Sequence, residues 1–372
     1  MKIAFRYLCL LLLFNLMSCK DSGNDASHSP NTSISSSTSS LSSLPSTATL
    51  AQKIDAYLEA NQDADRPGVS VVVVKNGEQI YSGGKGMADI PSGAVIASNT
   101  GFRLASVSKP FTAIAIMQLV ERGDLKLTDS LLDYIPELSQ SWRKITIEHL
   151  LTHSSGIFDI INDGWRPKIL DGMTNASLIN FLINNPTLEF EPGTRFDYSN
   201  TGYMLLATII ERKTGLSFPE YMQRNIFGPA NMQGSYINDE NQPIKYGDAL
   251  NYASLHTYYG ITTNLKGSMA QVSSRDDFFN FFAAIRENKL VSAETFAEIS
   301  QTRGSLRETV PYGYGFAIFS DAIGHTGQWD GFETEIYISK SRGLEFAILT
   351  NSGSIGRTHS DAIKNIIFST AF

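Results

Sequence analysis

Cysteine is almost absent from this 372-residue chain, and both copies, Cys9 and Cys19, lie near the N-terminus. The rest of the chain can therefore form neither a disulfide nor a thiolate metal site. The six histidines are scattered and form no H-E-x-x-H pair, so we expect no metal ion and no other cofactor.

Blocks of Lys and Arg are also missing. The chain has 30 basic and 37 acidic residues, a net charge of −7. Without a basic stripe that could follow a phosphate backbone, nucleic acid is not an expected partner. Hydrophobic residues make up 42% of the sequence, enough for the core of one large domain or of two closely fused ones.

The apolar run at the N-terminus, residues 7–17, is too short for an ordinary membrane span. With the basic Lys2 and Arg6, it is typical of an export signal over residues 1–18. Leu16-Met17-Ser18-Cys19 resembles a bacterial lipobox, in which cleavage leaves a lipidated cysteine at the new N-terminus. We therefore expect Cys19 to anchor the chain in the bacterial cell envelope, facing the periplasm or the cell surface. The alternative is an ordinary signal peptide with an incidental cysteine.

Residues 19–48 are dominated by Ser, Thr, Asn and Asp. Such a segment buries too little apolar surface to offset the entropy of ordering it, so we predict a disordered tether. About thirty flexible residues span on the order of 30 Å. Residues 49–372 are predicted to form the folded domain.

Strand patterns occur at both ends of this domain, and mostly helical patterns lie between them. The turn Asn76-Gly77 predicts a hairpin. The predicted strands are residues 69–75, 79–83, 314–319, 333–339 and 344–351, and the predicted helices are 50–60, 110–122, 147–151, 176–184, 201–213, 218–226, 274–288, 293–300 and 361–368. These patterns predict an α/β fold of the α+β type. An antiparallel sheet is built from both termini and flanked by helices, and a mainly helical region is inserted. We expect the active or binding site to lie in the cleft between the sheet and the inserted helical region.

Ser106 and Lys109 open an apolar helical pattern. Because Pro110 is tolerated only near the first helical turn, the helix must begin close to Ser106. The spacing of three residues places Lys109 on the same helix face as the Ser106 hydroxyl. A serine becomes a strong nucleophile when a neighbouring base takes its proton, and a buried lysine can be that base. Alone the pair is a weak signal, since a serine in this position is more often a helix N-cap than a nucleophile.

Two later segments strengthen this interpretation. The turn-rich residues 191–200 deliver Tyr198 and Asn200 just before a predicted helix. His325-Thr326-Gly327-Gln328 lies at the head of the C-terminal strands, where a glycine allows a substrate to approach the backbone.

Together, Ser106-Val107-Ser108-Lys109, Tyr198-Ser199-Asn200 and His325-Thr326-Gly327 resemble the three motifs of serine β-lactamases and penicillin-binding proteins. Tyrosine in the second motif is the pattern of class C β-lactamases, D-alanyl-D-alanine carboxypeptidases and related esterases and D-aminopeptidases. Leu-Leu-Thr-His-Ser-Ser-Gly at 150–156 and Pro-Gly-Thr at 192–194 resemble the same branch. The resemblance runs from about residue 50 to the C-terminus.

The resemblance implies a role for each motif residue. Ser106 would attack a carbonyl and form an acyl-enzyme, while Lys109 and Tyr198 share its proton. Asn200 would bind the substrate amide and Lys109. The backbone N–H groups of Ser106 and Gln328 would form the oxyanion hole, and water would release the acyl group.

The third motif, with Thr326, Gly327 and Gln328, would bind substrate, but it departs from the family at His325, where lysine is usual. An unperturbed histidine, with a pKa of about 6.5, is mostly neutral above pH 7. We therefore expect His325 to bind a substrate carboxylate better as pH falls. This replacement argues against antibiotic resistance as the main role.

Other aromatic and histidine residues leave alternatives open. His153 and Ser154 could border the cleft or serve packing and hydrogen bonding. A second cluster could line a substrate pocket, but we favour a role in a surface loop or in a core contact. It consists of Tyr252, His256, Tyr258 and Tyr259. The remaining histidines, at positions 28, 149 and 359, are read as incidental.

The predicted function is that of a serine hydrolase, foremost a D-alanyl-D-alanine carboxypeptidase-like peptidase acting on cell-wall peptides. An esterase, D-aminopeptidase or β-lactamase of the same fold is the alternative, and a non-catalytic protein that binds cell-wall fragments or β-lactams is the alternative from another class. The expected partners are a small peptide, ester or β-lactam substrate and, through the lipid, a membrane.

Overall fold

The computed structural model describes residues 45, 47–161, 173–239, 241, 245, 248–250, 252–254, 257–258, 265–306, 309–329 and 331–372. The predicted signal peptide and Cys19 lie outside the described residues, as does nearly all of the predicted tether. Ala48, the last residue assigned to the tether, is already buried against the folded domain.

The two ends of the domain meet in one antiparallel sheet. Among the described residues it has eight strands, in the order β10-β11-β12-β13-β14-β15-β1-β2. The pairing of Val69 with Thr350 joins an N-terminal strand to a C-terminal one. The strands are β1 Val69–Lys75, β2 Glu78–Lys85, β10 Gly304–Leu306, β11 Val310–Tyr312, β12 Ala317–Ile318, β13 Ile323–Trp329, β14 Phe332–Ser339 and β15 Leu344–Thr350. The predicted sheet built from both termini is confirmed.

Helices cover both faces of this sheet, and most of them come from the middle of the chain, as predicted. They are α1 Leu50–Asn61, α2 Ser108–Glu121, α3 Leu131–Tyr134, α4 Ile147–Leu151, α5 Asn175–Asn184, α6 Asn200–Thr214, α7 Phe218–Met222, α8 Arg275–Arg286, α9 Ala293–Ile299 and α10 Ser354–Ser369. Short strands lie outside the main sheet: β3 Met87–Asp89, β4 Ala94–Val95, β5 Phe102–Arg103, β6 Tyr236–Ile237, β7 Tyr252–Ser254, β8 Thr257–Tyr258 and β9 Gln271–Ser273. No described helix combines the length and apolar character that a membrane crossing requires.

Strand β1 is buried on both faces, which explains its nearly continuous hydrophobic sequence. Val71 and Val73 belong to the core beneath α1 and α10, whereas Val72 and Val74 belong to the larger core shared with the helical region. Alternate residues of a strand point to opposite faces, so a strand between two cores needs an apolar residue at nearly every position.

Three of the differences from the prediction have a local cause. The strand predicted over 314–319 is reduced to Ala317–Ile318, because Gly315 has a φ of +74° and the chain turns there. Strand β13 was not predicted, since its polar and glycine-containing centre lacks the alternation typical of a strand. Helix α10 begins seven residues before its predicted start, and its polar first turn packs against charged groups of the sheet, with Arg357 bound to Glu333.

A buried ion pair ties α10 to the sheet. Lys364 is 2% exposed, and its Nζ lies 3.2 Å from both carboxylate oxygens of Glu335 on β14. Ser360 Oγ donates a third hydrogen bond to this carboxylate at 3.0 Å. Burial raises the pKa of Glu335, and Lys364 opposes that shift.

We expect Lys364→Met to lower the free energy of unfolding by about 3–5 kcal/mol, because Glu335 would be left buried without its cation. The matched control is Arg143→Met, which breaks an ion pair with Asp133 whose side chains are 53% and 52% exposed. That change should have an effect of about 0–1 kcal/mol. Urea unfolding of both variants measures the difference, and equal effects would contradict it.

Candidate active site

Ser106 lies in a short 3₁₀ turn, Ala105–Val107, that leads directly into α2. The N-cap of α2 is Val107, so the alternative interpretation of Ser106 as its N-cap is wrong. Ala105, just before the serine, has a φ of +48°. A residue with a Cβ rarely adopts this left-handed conformation, which stores about 1–3 kcal/mol at sites where the surrounding contacts enforce it.

Lys109 lies one helical turn after Ser106 and is 0% exposed. Its Nζ is 3.0 Å from Ser106 Oγ, 2.7 Å from Asn200 Oδ1 and 3.2 Å from the carbonyl oxygen of Ser268. An ammonium has three N–H donors, so these oxygens can satisfy all of them. In the neutral form the same nitrogen can accept the proton of Ser106.

Asn200, the first residue of α6, is oriented by a residue that the sequence analysis missed. Its Nδ2 donates to Asp159 Oδ2 at 2.9 Å, which turns its Oδ1 toward Lys109. Asp159 is buried. The sequence contains one signal that could have found it. Asp159 is a single carboxylate between apolar neighbours, in Ile157-Phe158-Asp159-Ile160-Ile161. A charge that is buried in this way is retained only where it is paired or hydrogen-bonded.

Tyr198 completes this group from the segment that precedes α6. The Nζ of Lys109 lies 4.8 Å from the centre of its ring. The centre of the His325 ring lies 6.3 Å from the centre of the Tyr198 ring. The structure thus brings together residues from all three predicted motifs.

Gly327 brings the third motif against the nucleophile. A Cβ at this position would clash with the carbonyl oxygen of Leu104 and would lie 3.1 Å from the backbone nitrogen of Ser106. Thr334, opposite Gly327 on β14, donates to the same Leu104 oxygen at 2.7 Å. Only glycine therefore permits this close approach of β13 to the Ser106 turn.

One edge of β13 is open beside this turn. Strand β12 pairs only with Ile323 and Gly324 of β13. From His325 to Gln328 that edge pairs with no other strand of the described residues. Thr326 is partly exposed and Gln328 is exposed. An extended peptide can add to such an edge through main-chain hydrogen bonds.

His325 does not have the environment expected for a carboxylate-binding group. It is 2% exposed, and its Nε2 is 3.1 Å from the Tyr312 hydroxyl. Its Nδ1 is 2.6 Å from the carbonyl oxygen of Thr326. A carbonyl only accepts, so Nδ1 carries the proton and Nε2 accepts from Tyr312. Burial, aided by the positive charge of Lys109, lowers the pKa of His325 to about 3.

The expected pH-dependent binding of a carboxylate by His325 is therefore wrong. With this pKa the imidazole is neutral at physiological pH, and both ring nitrogens already have partners. The motif alone could not reveal Tyr312, which comes from another strand.

Tyr203 is a further residue near Lys109 that the sequence analysis missed. Its ring centre lies 5.7 Å from Lys109 Nζ, and it follows Asn200 at the three-residue spacing of one helix face.

The remaining candidates have structural contacts. Tyr252 is buried and its hydroxyl accepts from the backbone N–H of Ile90, so it is a core contact as expected. His149 accepts from Thr146 N in a capping box, and His359 Nδ1 lies 3.0 Å from the Tyr57 hydroxyl. His28, His256 and Tyr259 lie outside the described residues. Within the described ranges, no group of three His, Cys, Asp or Glu residues could hold a metal ion.

Comparison with known proteins gives consistent matches over the folded domain. The family model Beta-lactamase matches residues 50–368. Penicillin-binding protein 4* of Bacillus subtilis (strain 168) is 29% identical over 291 residues, which are 71% of this chain and 64% of that protein. The chain therefore spans less than two thirds of the length of this relative.

Solved structures show the same fold. The octameric penicillin-binding protein homologue from Pyrococcus abyssi is 25% identical, with a TM-score of 0.74 over 86% of this chain and 77% of that chain. D-amino acid amidase from Ochrobactrum anthropi SV3 is 22% identical, with a TM-score of 0.71 over 82% of this chain and 94% of that chain. The likeness to the amidase concerns the fold alone.

We expect Gly327→Ala to lower kcat/KM about a hundredfold toward any substrate of the wild-type chain, because a shift of about 1 Å between β13 and the Ser106 turn misaligns the reacting groups. The control is Gly123→Ala, whose added Cβ meets no atom within 4 Å and whose positive φ, which Gly327 does not share, makes its backbone the more strained of the two. Steady-state kinetics of both variants measure the effect. Equal activity of the two would contradict the close-approach argument.

The depressed pKa of His325 also predicts how stability depends on pH. The folded-state pKa of about 3 lies below the unfolded value of about 6.5, so between these values the unfolded chain binds more protons. This contribution to stability is full above pH 6.5 and is lost as pH falls toward 3. Between about pH 5 and 6, the wild-type free energy of unfolding should fall about 1 kcal/mol per pH unit more steeply than that of His325→Gln. Parallel pH profiles from urea unfolding would contradict the buried neutral imidazole.

Proposed function

This chain belongs to the beta-lactamase family, and from that membership we propose that it is a serine hydrolase that forms an acyl-enzyme on Ser106. The single observation that carries this proposal is the position of Lys109 Nζ, buried between Ser106 Oγ and Asn200 Oδ1. A base within hydrogen-bond reach of a serine, itself oriented by a third group, is the arrangement that activates such a nucleophile.

In the proposed reaction Ser106 gives its proton to the leaving group and later regains one from water. Ser106 Oγ attacks a substrate carbonyl as its proton passes to the base that Lys109 and Tyr198 form together, which must lack one proton when the attack begins. The backbone N–H groups of Ser106 and Gln328 stabilise the negative oxygen of the tetrahedral intermediate. The C–N or C–O bond breaks when the leaving group receives the proton. Water then attacks the ester on Ser106, one proton of this water returns through Lys109 and Tyr198 to Ser106 Oγ, and the acyl group leaves as a carboxylic acid.

The finer proposal is a D-alanyl-D-alanine carboxypeptidase-like activity on cell-wall peptides. The open edge of β13, next to Ser106, supports it because an extended peptide can pair with a strand edge. The names of the Bacillus and Pyrococcus proteins, which refer to penicillin binding, also support it.

A second candidate is an esterase or D-aminopeptidase, and the neutral His325 favours it. The usual lysine would offer a fixed positive charge to a terminal carboxylate, whereas this histidine stays uncharged at neutral pH. A substrate that carries no carboxylate loses nothing by that replacement. A β-lactamase ranks behind both for the same reason. The non-catalytic alternative is disfavoured because Ser106, Lys109, Tyr198 and Asn200 are all present and close together.

We also propose that the enzyme works at the bacterial cell envelope, held by a lipid on Cys19. The support for this is the sequence alone: a short apolar run, the lipobox-like Leu16-Met17-Ser18-Cys19 and the polar residues that follow it. A tether of about thirty residues would let the folded domain reach substrate on the order of 30 Å from the membrane.

Replacing the nucleophile tests the proposed chemistry. Ser106→Ala should lower kcat/KM on the order of a thousandfold or more, because loss of the attacking oxygen removes the acyl-enzyme route. Ser341→Ala, at an exposed serine between β14 and β15, is the control and should keep wild-type activity. Unchanged rates in Ser106→Ala with every acyl substrate would favour the non-catalytic reading.

The choice of substrate separates the two finer candidates. We expect a carboxypeptidase to cleave a peptide ending in D-Ala-D-Ala faster than the same peptide with a C-terminal amide. Faster cleavage of the amide, or of a D-aminoacyl ester, would establish the esterase or D-aminopeptidase reading instead. Steady-state kinetics with the three compounds measure the order.

A further inference from the structure

His153 adopts a backbone conformation that its own sequence does not favour. It follows α4 with a φ of +55°, and it is 1% exposed. For a residue with a side chain this left-handed region is uncommon, and it persists where surrounding contacts hold it. The contacts of His153 therefore indicate what this conformation achieves.

These contacts fix the residues on both sides of Tyr198. The backbone oxygen of His153 accepts a hydrogen bond from the N–H of Asp197 at 2.7 Å. Its side-chain Nδ1 accepts a hydrogen bond from the N–H of Ser199 at 3.1 Å. The imidazole ring also packs on the ring of Tyr198, with 4.3 Å between the ring centres and 32° between their planes. His153 thus contacts Tyr198 and both of its neighbours in the chain.

The tautomer of His153 follows from this geometry. Since Nδ1 accepts from a backbone N–H, the ring proton must be on Nε2. That Nε2 has no hydrogen-bond partner among the described residues. The groups that face the ring are Lys109 and His325, besides the aromatic rings of Phe196, Tyr203 and Tyr312. Burial, together with the positive charge of Lys109, lowers the pKa of His153 well below its usual value, so the acceptor on Nδ1 is retained.

The hydrogen bond from Ser199 to His153 also affects the position of Asn200. Ser199, whose N–H is bound by His153, is the N-cap of α6 and accepts from Gly202 N at 3.3 Å. Asn200 is the next residue and begins the helix. A shift of Ser199 would therefore move the side chains of Tyr198 and Asn200 together, away from Lys109.

We propose that His153 is a positioning residue, which uses its Nδ1 and its backbone oxygen to hold Tyr198 in line with Lys109 for transfer of the Ser106 proton. This inference rests on the proposed acyl-enzyme function and deepens it. It goes beyond packing, because it assigns the hydrogen-bond acceptor of the ring a role in the rate of acylation.

Two substitutions separate the acceptor from the volume of the ring. His153→Phe keeps an aromatic ring but has no acceptor, whereas His153→Asn keeps an acceptor oxygen close to the place of Nδ1. Asparagine also tolerates positive φ better than most residues. We expect His153→Phe to lower the acylation rate about 10–100-fold with little change in KM, as misplacement of a catalytic group does, and His153→Asn to recover most of the loss.

The measurement is the rate at which an activated acyl donor modifies Ser106 in the folded full chain, corrected for the folded fraction by circular dichroism. Equal rates for the wild type and His153→Phe would overturn the proposal, as would equal losses in the two variants. A wild-type chain that is not acylated at all would instead refute the proposed function, so the two failures are distinguishable.

A double-mutant cycle tests whether His153 acts through Tyr198. In a Tyr198→Phe background, which lacks the hydroxyl to be positioned, His153→Phe should lower acylation less than about threefold. A loss as large as in the wild-type background would mean that the two residues act independently, and it would overturn the proposal.

The wild-type chain gives a test that needs no variant to fold. With ¹⁵N-labelled histidine, we expect the His153 ring to show an unprotonated, hydrogen-bonded Nδ1 and a protonated Nε2 that do not titrate in the pH range of an ordinary histidine. Assignment uses His153→Asn. A proton on Nδ1, or titration in this range, would remove the acceptor on which the proposal depends.

Discussion

The buried nitrogen of Lys109 is the constraint on which the rest of the site depends. A side chain that is 0% exposed and ends in a nitrogen with several donors needs polar partners, because burying it without them is strongly unfavourable. The oxygen atoms that accept hydrogen bonds from Lys109 Nζ come from the Ser106 turn, from the start of α6 and from the segment that carries Ser268. These separate segments must therefore meet around one atom.

The sheet enters this arrangement through Gly327. Because β13 has no side chain at that position, its backbone can lie against Leu104 and Ser106. Thr334 on β14 fixes the same Leu104 oxygen from within the sheet. The helical region thus supplies the reacting groups, and the sheet supplies a rigid edge beside them. Asp159 and His153 act one step further out, where they orient Asn200 and the residues around Tyr198.

Much of this arrangement could be predicted from the sequence. Strands β1 and β15 are largely apolar, the second half of β14 is an apolar run, and the first helical turn of α2 is marked by Pro110, so local patterns suffice there. Strand β13 could not be found in this way, because the residues that serve the site, His325 to Gln328, break the alternation expected of a strand. The partner of His325 Nε2 is Tyr312 on another strand, outside the motif, so an ordinary imidazole pKa was predicted where burial lowers it. Asp159 was missed because one carboxylate among apolar residues gives no motif.

The central claim is that Ser106 becomes acylated with the help of Lys109. Intact-mass measurement of the full chain after addition of a β-lactam or an activated ester, followed by peptide mapping, tests it most directly. We predict an added acyl mass on the peptide that contains Ser106, formed much more slowly in Lys109→Met. An adduct on any other residue, or none from any acyl donor in a folded chain, would contradict the account.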